Sequence, residues 1–230
     1  MSTTHESRVR VLEPVAAVAS STITLITGVA TVLAMFVLGF IAKVGPVARL
    51  DLKVDEHIAL NDRSSLLTTL SKAVSTVATP EIFGPVALVG LPLILLAFRR
   101  KLAAVMVFCT VGGALALTEV AKKLVGEPRP PAALRLMAAD SGASYPSGHT
   151  TVAAVFAVAL IMVATTLAWR FTALILAGGF AVAVAASRVY LGDHYPLDVL
   201  GAMLSALAAG SIVVGLRTLP ALRPLVRRLR

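Results

Sequence analysis

The stretch that decides the fold runs from Pro14 to Ala42 and reads PVAAVASSTITLITGVATVLAMFVLGFIA. It contains no Asp, Glu, Lys or Arg. A helix needs about 20 apolar residues to cross the hydrocarbon core of a bilayer, and this stretch is longer than that. It is also too long for the apolar region of a cleaved signal peptide. We therefore predict a retained transmembrane helix near the N-terminus.

The composition of the whole chain agrees with a membrane protein. Hydrophobic residues make up 57% of its 230 residues and charged residues only 14%, with a mean hydropathy of +0.88. Soluble domains are about 45–50% apolar and about 25% charged, so an ordinary water-soluble enzyme and a disordered chain are both excluded. The net charge of +9 suits either nucleic acid or an anionic membrane surface. The apolar composition favours the membrane, so we expect the lipid bilayer as a partner and no nucleic acid.

Further charge-free stretches follow the first one: Ile82–Phe98, Leu102–Thr118, Thr150–Trp169, Phe171–Ser187 and Val199–Leu216. With the first stretch they predict an all-α bundle of six transmembrane helices that forms a single domain over residues 1–230. The segment between the first two predicted spans also has apolar residues at three- and four-residue spacing: Leu66, Leu70, Val74 and Val77. This spacing predicts an amphipathic helix that either packs on the bundle or gates lipid entry.

The distribution of basic residues predicts the orientation of the bundle. The turn Phe98–Lys101 and the C-terminal segment 217–230 are rich in Arg and fall on the same side. Lys and Arg concentrate in cytoplasmic segments. We therefore predict a plasma-membrane protein with both termini in the cytoplasm and a basic cytoplasmic tail over 217–230. The loops 43–81, 119–149 and 188–198 then face outward.

The polar residues of the outer loops concentrate in three motifs, of which the first is KKLVGEPRP at 122–130. Lys122 closes the predicted third span, and Arg129 stands between two prolines. Proline fixes the local backbone, which suits the placing of an arginine side chain. If this motif is considered alone, the simpler interpretation is that Lys122 and Arg129 are two basic residues that face lipid headgroups.

The second motif, YPSGHT at 145–150, comes directly before the predicted fourth span. A turn that leads into a helix presents free backbone N–H groups and the positive end of the helix dipole, which together bind anions such as phosphate. Gly148 permits a close approach of the ligand, and His149 would lie at the mouth of the site. The simpler alternative is a helix capped by Ser147 with an incidental histidine.

The third motif, SRVYLGDHYPLD at 187–198, joins the last two predicted spans. Pro196 suits the first turn of a helix, so Asp198 would lie about one turn beyond His194. A carboxylate in that place can bond one ring nitrogen of the histidine and leave the other free as a nucleophile or general base. The simpler alternative is an acidic residue at a helix start beside an interfacial histidine.

The predicted topology brings the three motifs to one outer face of the membrane. Lys122, Arg129 and Arg188 would then form, with the helix start, an electrostatic cage for a phosphoryl group. The two histidines have no accompanying set of carboxylate or cysteine ligands, so we expect neither a metal nor a cofactor. The chemistry that needs no metal is attack on phosphorus by a histidine, followed by hydrolysis.

These motifs read Lys-x6-Arg-Pro, Pro-Ser-Gly-His and Ser-Arg-x5-His-x3-Asp, with a motif core at 122–198. In them the chain resembles the type-2 phosphatidic acid phosphatase (PAP2) superfamily of integral-membrane lipid phosphatases. The resemblance implies that His194 is the nucleophile, that Asp198 orients it, and that His149 protonates the leaving group. It implies a phosphate-binding set of Lys122, Arg129, Ser147, Gly148 and Arg188. Lys123, Glu127 and Arg135 match no family role and are interpreted as loop charges.

We therefore predict a metal-independent lipid phosphatase that acts through a phosphohistidine. Its substrate would be a membrane lipid phosphate or pyrophosphate, such as undecaprenyl pyrophosphate, phosphatidic acid or phosphatidylglycerophosphate. The alternative is a lipid or anion transporter, or a flippase, that uses the same cationic pocket. A transporter predicts charges near the midplane of the bilayer, whereas the motif charges lie at one face. The sequence leaves the substrate and the oligomeric state open.

Overall fold

The fold is built from helices alone. The computed structural model describes residues 3–138 and 142–229, with side chains from residue 20 onward within the first helix, and no β-strand occurs in these residues. This confirms the predicted all-α class. The side chains of 14–19 in the first predicted span, part of the loop 119–149, and Arg230 of the predicted tail lie outside the described residues.

The α-helices, numbered along the chain, are α1 Thr3–Ala42, α2 Gly45–His57, α3 Ser65–Val77, α4 Pro80–Pro85, α5 Leu91–Ala97, α6 Lys101–Val125, α7 Gly148–Val163, α8 Leu167–Ala173, α9 Gly179–Tyr190, α10 Pro196–Thr218 and α11 Arg223–Leu229. The π-helical turns Val86–Gly90 and Leu174–Gly178 join α4 to α5 and α8 to α9, and a third at Ile58–Asp62 extends α2. Short 3₁₀ turns occur at Ala132–Leu134 and Pro220–Leu222.

Within the described residues, 5 helical stretches are long and apolar enough to cross a membrane: Ser20–Ala42, Ser65–Ala97, Lys101–Val125, Leu167–Tyr190 and Pro196–Thr218. The shorter apolar helix α7 stands where the fourth span is predicted. Large apolar side chains such as Leu33, Phe40 and Ile175 are exposed on the outer surface, as helices that face lipid require. The chain is a multi-pass membrane protein, and the total of six crossing helices stays a prediction.

The region 43–81, predicted as an outer loop that contains an amphipathic helix, is helical for most of its length. The helix α3 forms where the apolar spacing predicts an amphipathic helix, and Ser64 caps it by accepting a hydrogen bond from Leu67 N at 3.2 Å. Leu70 is exposed, whereas Val74 packs against the core. The sequence pattern thus located the helix but not its continuity with the second span.

The predicted boundary between the fourth and fifth spans is also wrong. The helix α7 ends at Val163, and Thr166 caps α8 by accepting a hydrogen bond from Trp169 N at 3.2 Å. Trp169 and Arg170 therefore belong to the following helix. The cause is local. A threonine hydroxyl bonds backbone N–H groups and so favours a helix start, but threonine carries no charge that would interrupt a charge-free stretch.

The helices α1 and α10 pack closely along each other because each contributes a glycine to the contact. A Cβ on Gly28 would lie 2.7 Å from Cγ1 of Ile212, and a Cβ on Gly215 would lie 2.6 Å from Cγ of Leu25. Small residues let membrane helices approach in this way. The contact holds α10, which begins at the third motif, against the long first helix.

Buried hydroxyl groups join α6, α7 and α10 inside the bundle. Thr118 Oγ1 lies 3.0 Å from Thr151 Oγ1 and 3.2 Å from Ser205 Oγ. Ser205 in turn donates to the carbonyl of Ala114 at 3.0 Å. Polar side chains that bond one another between apolar helices fix the relative positions of those helices. The three helices joined here carry parts of all three motifs.

The motifs meet at one end of the bundle, where α6 and α9 finish and α7 and α10 begin; we call this the site end. Gly126 ends α6 in the left-handed conformation, with φ of 60°, and donates to Lys122 O at 3.0 Å. Pro196 opens α10, and its first turn is closed by a hydrogen bond from Tyr195 N to Asp198 Oδ2 at 2.9 Å. The turn around Arg99, before α6, lies at the opposite end.

Candidate active site

His194 lies at the centre of the site end and is completely buried. Its Nδ1 is 3.1 Å from Asp198 Oδ2, and its Nε2 is 3.3 Å from Arg129 Nη1. A guanidinium can only donate hydrogen bonds, so Nε2 must accept and the ring proton must reside on Nδ1. This tautomer assignment follows from the two neighbours. The lone pair of Nε2 therefore points toward the cations.

The surroundings of His194 keep its imidazole neutral. Burial is the main cause that lowers its pKa, and the positive charges of Arg129 and Arg188 lower it further, whereas the hydrogen bond to Asp198 opposes them. A neutral imidazole has a lone pair available at neutral pH. The site thus holds the His194 imidazole in the protonation state that a nucleophile or general base requires.

Asp198 is the acceptor that organises the third motif. Besides the His194 ring, its Oδ2 accepts hydrogen bonds from Ser144 Oγ at 2.5 Å and from Tyr195 N at 2.9 Å. Its backbone carbonyl accepts a hydrogen bond from Ser147 N at 3.2 Å. The start of α10 is therefore bonded directly to the start of α7, which brings the second and third motifs together.

The three predicted phosphate-binding cations converge on the same region. Arg188 is only 2% exposed, and its Nη1 donates to Ser75 Oγ of α3 at 2.6 Å. Arg129 donates from Nε to Gly142 O at 3.2 Å and from Nη1 to Asp193 O at 3.1 Å. Lys122 donates to Ala143 O at 3.0 Å. Backbone carbonyls thus hold both side chains of the first motif, and Arg129 reaches the His194 ring.

Asp193, to which the sequence interpretation gave no role, lies buried among these cations. Its Oδ2 accepts a hydrogen bond from Arg129 Nη1 at 2.9 Å and forms a close ion pair with Arg188 Nη2. The same oxygen is 3.9 Å from His194 Nε2. A carboxylate therefore acts as counter-ion to two guanidinium groups next to Nε2 of His194.

The second motif forms the first turn of α7, as predicted. Ser147 is buried and caps the helix, with its Oγ accepting a hydrogen bond from Thr150 N at 3.4 Å. Gly148 and His149 follow in the first turn, and His149 is buried. Both the side chain and the backbone N–H of Ser147 have protein partners, so its contribution to phosphate binding stays a prediction.

A cavity of about 450 Å³ opens at this end between α4 and α6. It is lined by Pro80, Glu81, Glu119, Lys122, Lys123, Arg129, Gly142, Ala143 and Gly148. Basic residues of the first motif and the glycine of the second thus face one space, together with two acidic side chains. In the part of the chain that the structure describes, no group of three or more His, Cys, Asp or Glu residues is placed to hold a metal ion.

The interpretation as a loop charge is wrong for Glu127, whereas Arg135 does lie in the loop. Glu127 is 4% exposed, and burial together with the nearby charge of Asp198 raises its pKa to about 8. Arg135 is partly buried and donates from Nε to Pro130 O at 2.9 Å, which braces the segment after Arg129. The burial of Glu127 has no signal in the sequence, because Glu127 stands between Gly126 and Pro128, which read as an exposed loop.

Tyr145 is the largest buried side chain of the site end and anchors the second motif. Its hydroxyl donates to Met35 O of α1 at 2.5 Å. Its ring packs against Gly39 of α1, where a Cβ would lie 2.5 Å from Cε1, and even more closely against Gly201 of α10. The turn that leads to Ser147 is therefore clamped between two helices.

With this geometry established, comparison with known proteins identifies the family. Residues 102–219, about half of the chain, match the PAP2 superfamily. This chain belongs to the PAP2 superfamily. The matched residues contain all three motifs, so the resemblance predicted from those motifs is confirmed.

Within the PAP2 superfamily, the chain is 36% identical over 84 residues to undecaprenyl-diphosphatase BcrC of Bacillus subtilis. That match covers 36% of this chain and 39% of the relative. It is 43% identical over 64 residues to YbjG of Escherichia coli, a putative undecaprenyl-diphosphatase, which covers 28% of this chain and 30% of that protein. The matches thus span less than half the length of these curated relatives.

Solved structures of membrane PAP2 proteins share the fold. A transmembrane PAP2 type phosphatidylglycerolphosphate phosphatase from Bacillus subtilis superposes with a TM-score of 0.63 at 24% identity, covering 83% of this chain and 95% of that one. Aquifex aeolicus LpxE gives a TM-score of 0.55 at 23% identity, covering 69% and 91%. These similarities establish the fold of the PAP2 chain described above.

Proposed function

We propose that this protein is a membrane lipid phosphatase that cleaves a phosphomonoester or pyrophosphate headgroup through a phosphohistidine on His194. The observation that carries the proposal is the setting of the His194 ring. Asp198 holds Nδ1–H on one side, and Arg129 approaches Nε2 on the other. A neutral, oriented imidazole beside arginines that can bind phosphate oxygens is suited to attack on phosphorus.

The proposed first step transfers the phosphoryl group to the protein. The lone pair of His194 Nε2 forms the N–P bond while the bond from phosphorus to the lipid oxygen breaks. The ring becomes a phosphoimidazolium whose Nδ1–H stays bonded to the Asp198 carboxylate, and His149 gives its proton to the departing lipid oxygen. Lys122, Arg129 and Arg188, with the backbone of Gly148, bind the phosphoryl oxygens. Binding of these oxygens requires Asp193 to give up part of its contact with the arginines.

The second step returns the site to its starting state. Water attacks phosphorus and gives a proton to His149, and the N–P bond breaks as its electron pair returns to Nε2. Inorganic phosphate leaves, and His194 is again neutral with its proton on Nδ1. Since His149 must be protonated and His194 neutral at the start, activity should be bell-shaped in pH.

Support for a polyprenyl pyrophosphate as substrate comes from the names of the two curated relatives, both undecaprenyl-diphosphatases by description. Phosphatidylglycerophosphate and phosphatidic acid are the next lipids to compare. The location of the cavity at the end of apolar helices favours a lipid whose tail stays in the bilayer.

The test is phosphate release by the purified protein from undecaprenyl pyrophosphate, phosphatidylglycerophosphate and phosphatidic acid. We expect turnover of at least one lipid, its loss in His194→Gln, and an acid-labile, base-stable phosphoprotein when the reaction is quenched. The matched control is His57→Gln, because His57 lies exposed on α2. A folded wild-type protein that hydrolyses none of these lipids would contradict the proposal, as would lipid transport that persists in His194→Gln.

We also propose that the protein resides in the plasma membrane, with the site end outside and both termini in the cytoplasm. The basic turn around Arg99 and the Arg-rich segment after α10 lie at the opposite end, as cytoplasmic segments do. In a Cys109→Ser background, an impermeant maleimide should label Glu81→Cys in intact cells but not Arg99→Cys. The reverse pattern would overturn the orientation.

A further inference from the structure

Four carboxyl groups are buried on the side of His194 away from the cations. They belong to Asp51 and Asp55 of α2, Glu127 after α6, and Asp198 of α10. Of these, the reaction proposed above uses only Asp198. Burying several acidic groups together is costly unless some are protonated or bonded. Their close grouping therefore requires an account of where the protons reside.

Ser144 holds Glu127 and Asp198 next to each other, because its N donates to Glu127 O at 2.8 Å and its Oγ donates to Asp198 Oδ2 at 2.5 Å. Ionised carboxylates can only accept, so a hydrogen bond between the two side chains needs a proton on one of them. Glu127 Oε2 and Asp198 Oδ1 are both buried and have no conventional donor among the residues that the structure describes. A proton held between the two side chains satisfies both groups at once.

The surroundings show which of the two is the acid. Asp198 Oδ2 already receives hydrogen bonds from Ser144 Oγ, Tyr195 N and the His194 ring, and such donors stabilise an ionised carboxylate. Among the residues that the structure describes, Glu127 has no such set of donors, and its pKa is raised to about 8 by burial and by the charge of Asp198. The proton therefore belongs to Glu127 at neutral pH.

We infer that Glu127 is a positioning residue of this site, which as a neutral carboxylic acid donates a hydrogen bond to Asp198 and thereby fixes the carboxylate that orients His194. The inference rests on the proposed function. It extends the chain of hydrogen bonds from the His194 ring through Nδ1–H and Asp198 to a second carboxyl group, that of Glu127. Glu127 itself is not expected to touch the substrate.

This arrangement makes the alkaline side of the pH profile depend on Glu127 as well as on the protonation of His149. When Glu127 loses its proton, two negative carboxyl groups face each other and the hydrogen bond to Asp198 is lost. The other groups that act on this pair are Asp51 and Asp55 of α2, Lys43 beside α1, and the hydroxyls of Tyr145 and Tyr195. Lys43 is the only cation among them, and its Nζ donates to Val125 O at 2.7 Å.

The experiment compares Glu127→Gln with Glu127→Leu in the full-length protein. Glutamine keeps a donor that cannot titrate, so its kcat near pH 7 should stay within about threefold of wild type, and its activity should persist further into the alkaline range. Leucine has similar size but no donor, so its kcat should fall about 10- to 100-fold, the range for removing the outer hydrogen-bond partner of a functional histidine. KM should change little in either variant. Glu56→Gln, an exposed acid of α2, is the matched control.

A readout independent of turnover is the ¹⁵N spectrum of His194. The Nδ1–H resonance and the tautomer seen in wild type should persist in Glu127→Gln and be perturbed in Glu127→Leu, with melting temperatures checking that both variants fold. Full kcat in a folded Glu127→Leu, or an unchanged alkaline limb in Glu127→Gln, would overturn the inference. Failure of the proposed function looks different, since wild type itself would then release no phosphate.

Discussion

The two sides of the His194 ring differ in charge and in access to the cavity. On the Nε2 side lie Arg129 and Arg188 with the counter-ion Asp193, next to a cavity of about 450 Å³. On the Nδ1 side lie Asp198 and Glu127, both buried and packed against α2. The ring thus separates a cationic side that can bind an anion from an acidic side that is closed.

This difference shows how one histidine can be both fixed and reactive. The acidic side stabilises the ring proton on Nδ1, and positive charge that develops on the ring during attack is favoured there. The cationic side favours negative charge on the incoming phosphoryl group. Changes on the cationic side should therefore act directly on phosphate binding and turnover, whereas changes behind the ring should act through the orientation of His194, through pH dependence or through stability.

The largest effect is expected from Arg188→Ala on the cationic side. Loss of one fixed donor to a developing anion costs about 10²–10³ in rate, and we expect kcat/KM to fall by that factor. Arg49→Ala, which changes an exposed arginine of α2, should leave kcat/KM unchanged. A folded Arg188→Ala protein with more than a tenth of wild-type kcat/KM would show that the cage does not depend on this residue.

Next in size is a change behind the ring, Gly201→Ala. The new Cβ would collide with the ring of Tyr145, and overpacking of a filled core costs about 1–3 kcal/mol. The melting temperature in detergent measures the loss. Gly179→Ala is the matched control, because a Cβ at Gly179 would have no atom within 4 Å. Equal melting temperatures for the two variants would contradict the clamp around Tyr145.

A smaller effect of opposite sign is expected from Asp193→Asn. Removal of the carboxylate frees positive charge on Arg129 and Arg188 for a bound anion. Inorganic phosphate should therefore inhibit more strongly, with an inhibition constant lowered about tenfold, which corresponds to about 1.4 kcal/mol. Competition assays with inorganic phosphate measure the constant. Weaker inhibition would mean that Asp193 chiefly orients the arginines rather than competing with phosphate.

The smallest expected effect is in the pH dependence of stability on the acidic side. Burial and the nearby charge of Asp51 raise the pKa of Asp55 to about 8, well above the value of about 3.9 in an unfolded chain. The folded protein therefore holds the Asp55 proton more tightly than the unfolded chain does. The stability that this proton contributes is fully present at low pH and is lost as pH rises through about 8.

Asp55→Asn removes this dependence, since an amide does not titrate. Its melting temperature should fall less than that of wild type between pH 6 and pH 9, whereas Glu56→Gln should behave as wild type. Identical pH profiles for Asp55→Asn and wild type would show that Asp55 does not retain its proton in the fold.

The sequence was sufficient for the parts that follow from continuous apolar patterns and from spacing. Charge-free stretches locate the helices, and motifs at helix ends must meet when those ends lie at one face. Asp198 one turn beyond His194 is such a case, and the structure places the two side chains 3.1 Å apart. The break at 164–166 was not predicted, because these residues carry no charge and therefore do not interrupt the charge-free stretch.

The missed residues depend on contacts between distant segments. Glu127 is buried because α2 and the start of α10 enclose it, and no local pattern reports that enclosure. Asp193 turns toward Arg129 and Arg188 only because the segment between α9 and α10 folds over both. An acidic residue in a loop near lipid headgroups reads as exposed unless the packing of the whole bundle is known.

The hydrogen bond from Ser147 N to Asp198 O has a consequence for the history of such sites. Because both atoms are backbone atoms, the bond does not depend on which side chains stand at the two positions. The turn before α7 and the turn before α10 stay registered even if a motif residue is exchanged. During evolution, single substitutions can therefore change the reactive side chains while the backbone arrangement of the two turns is kept.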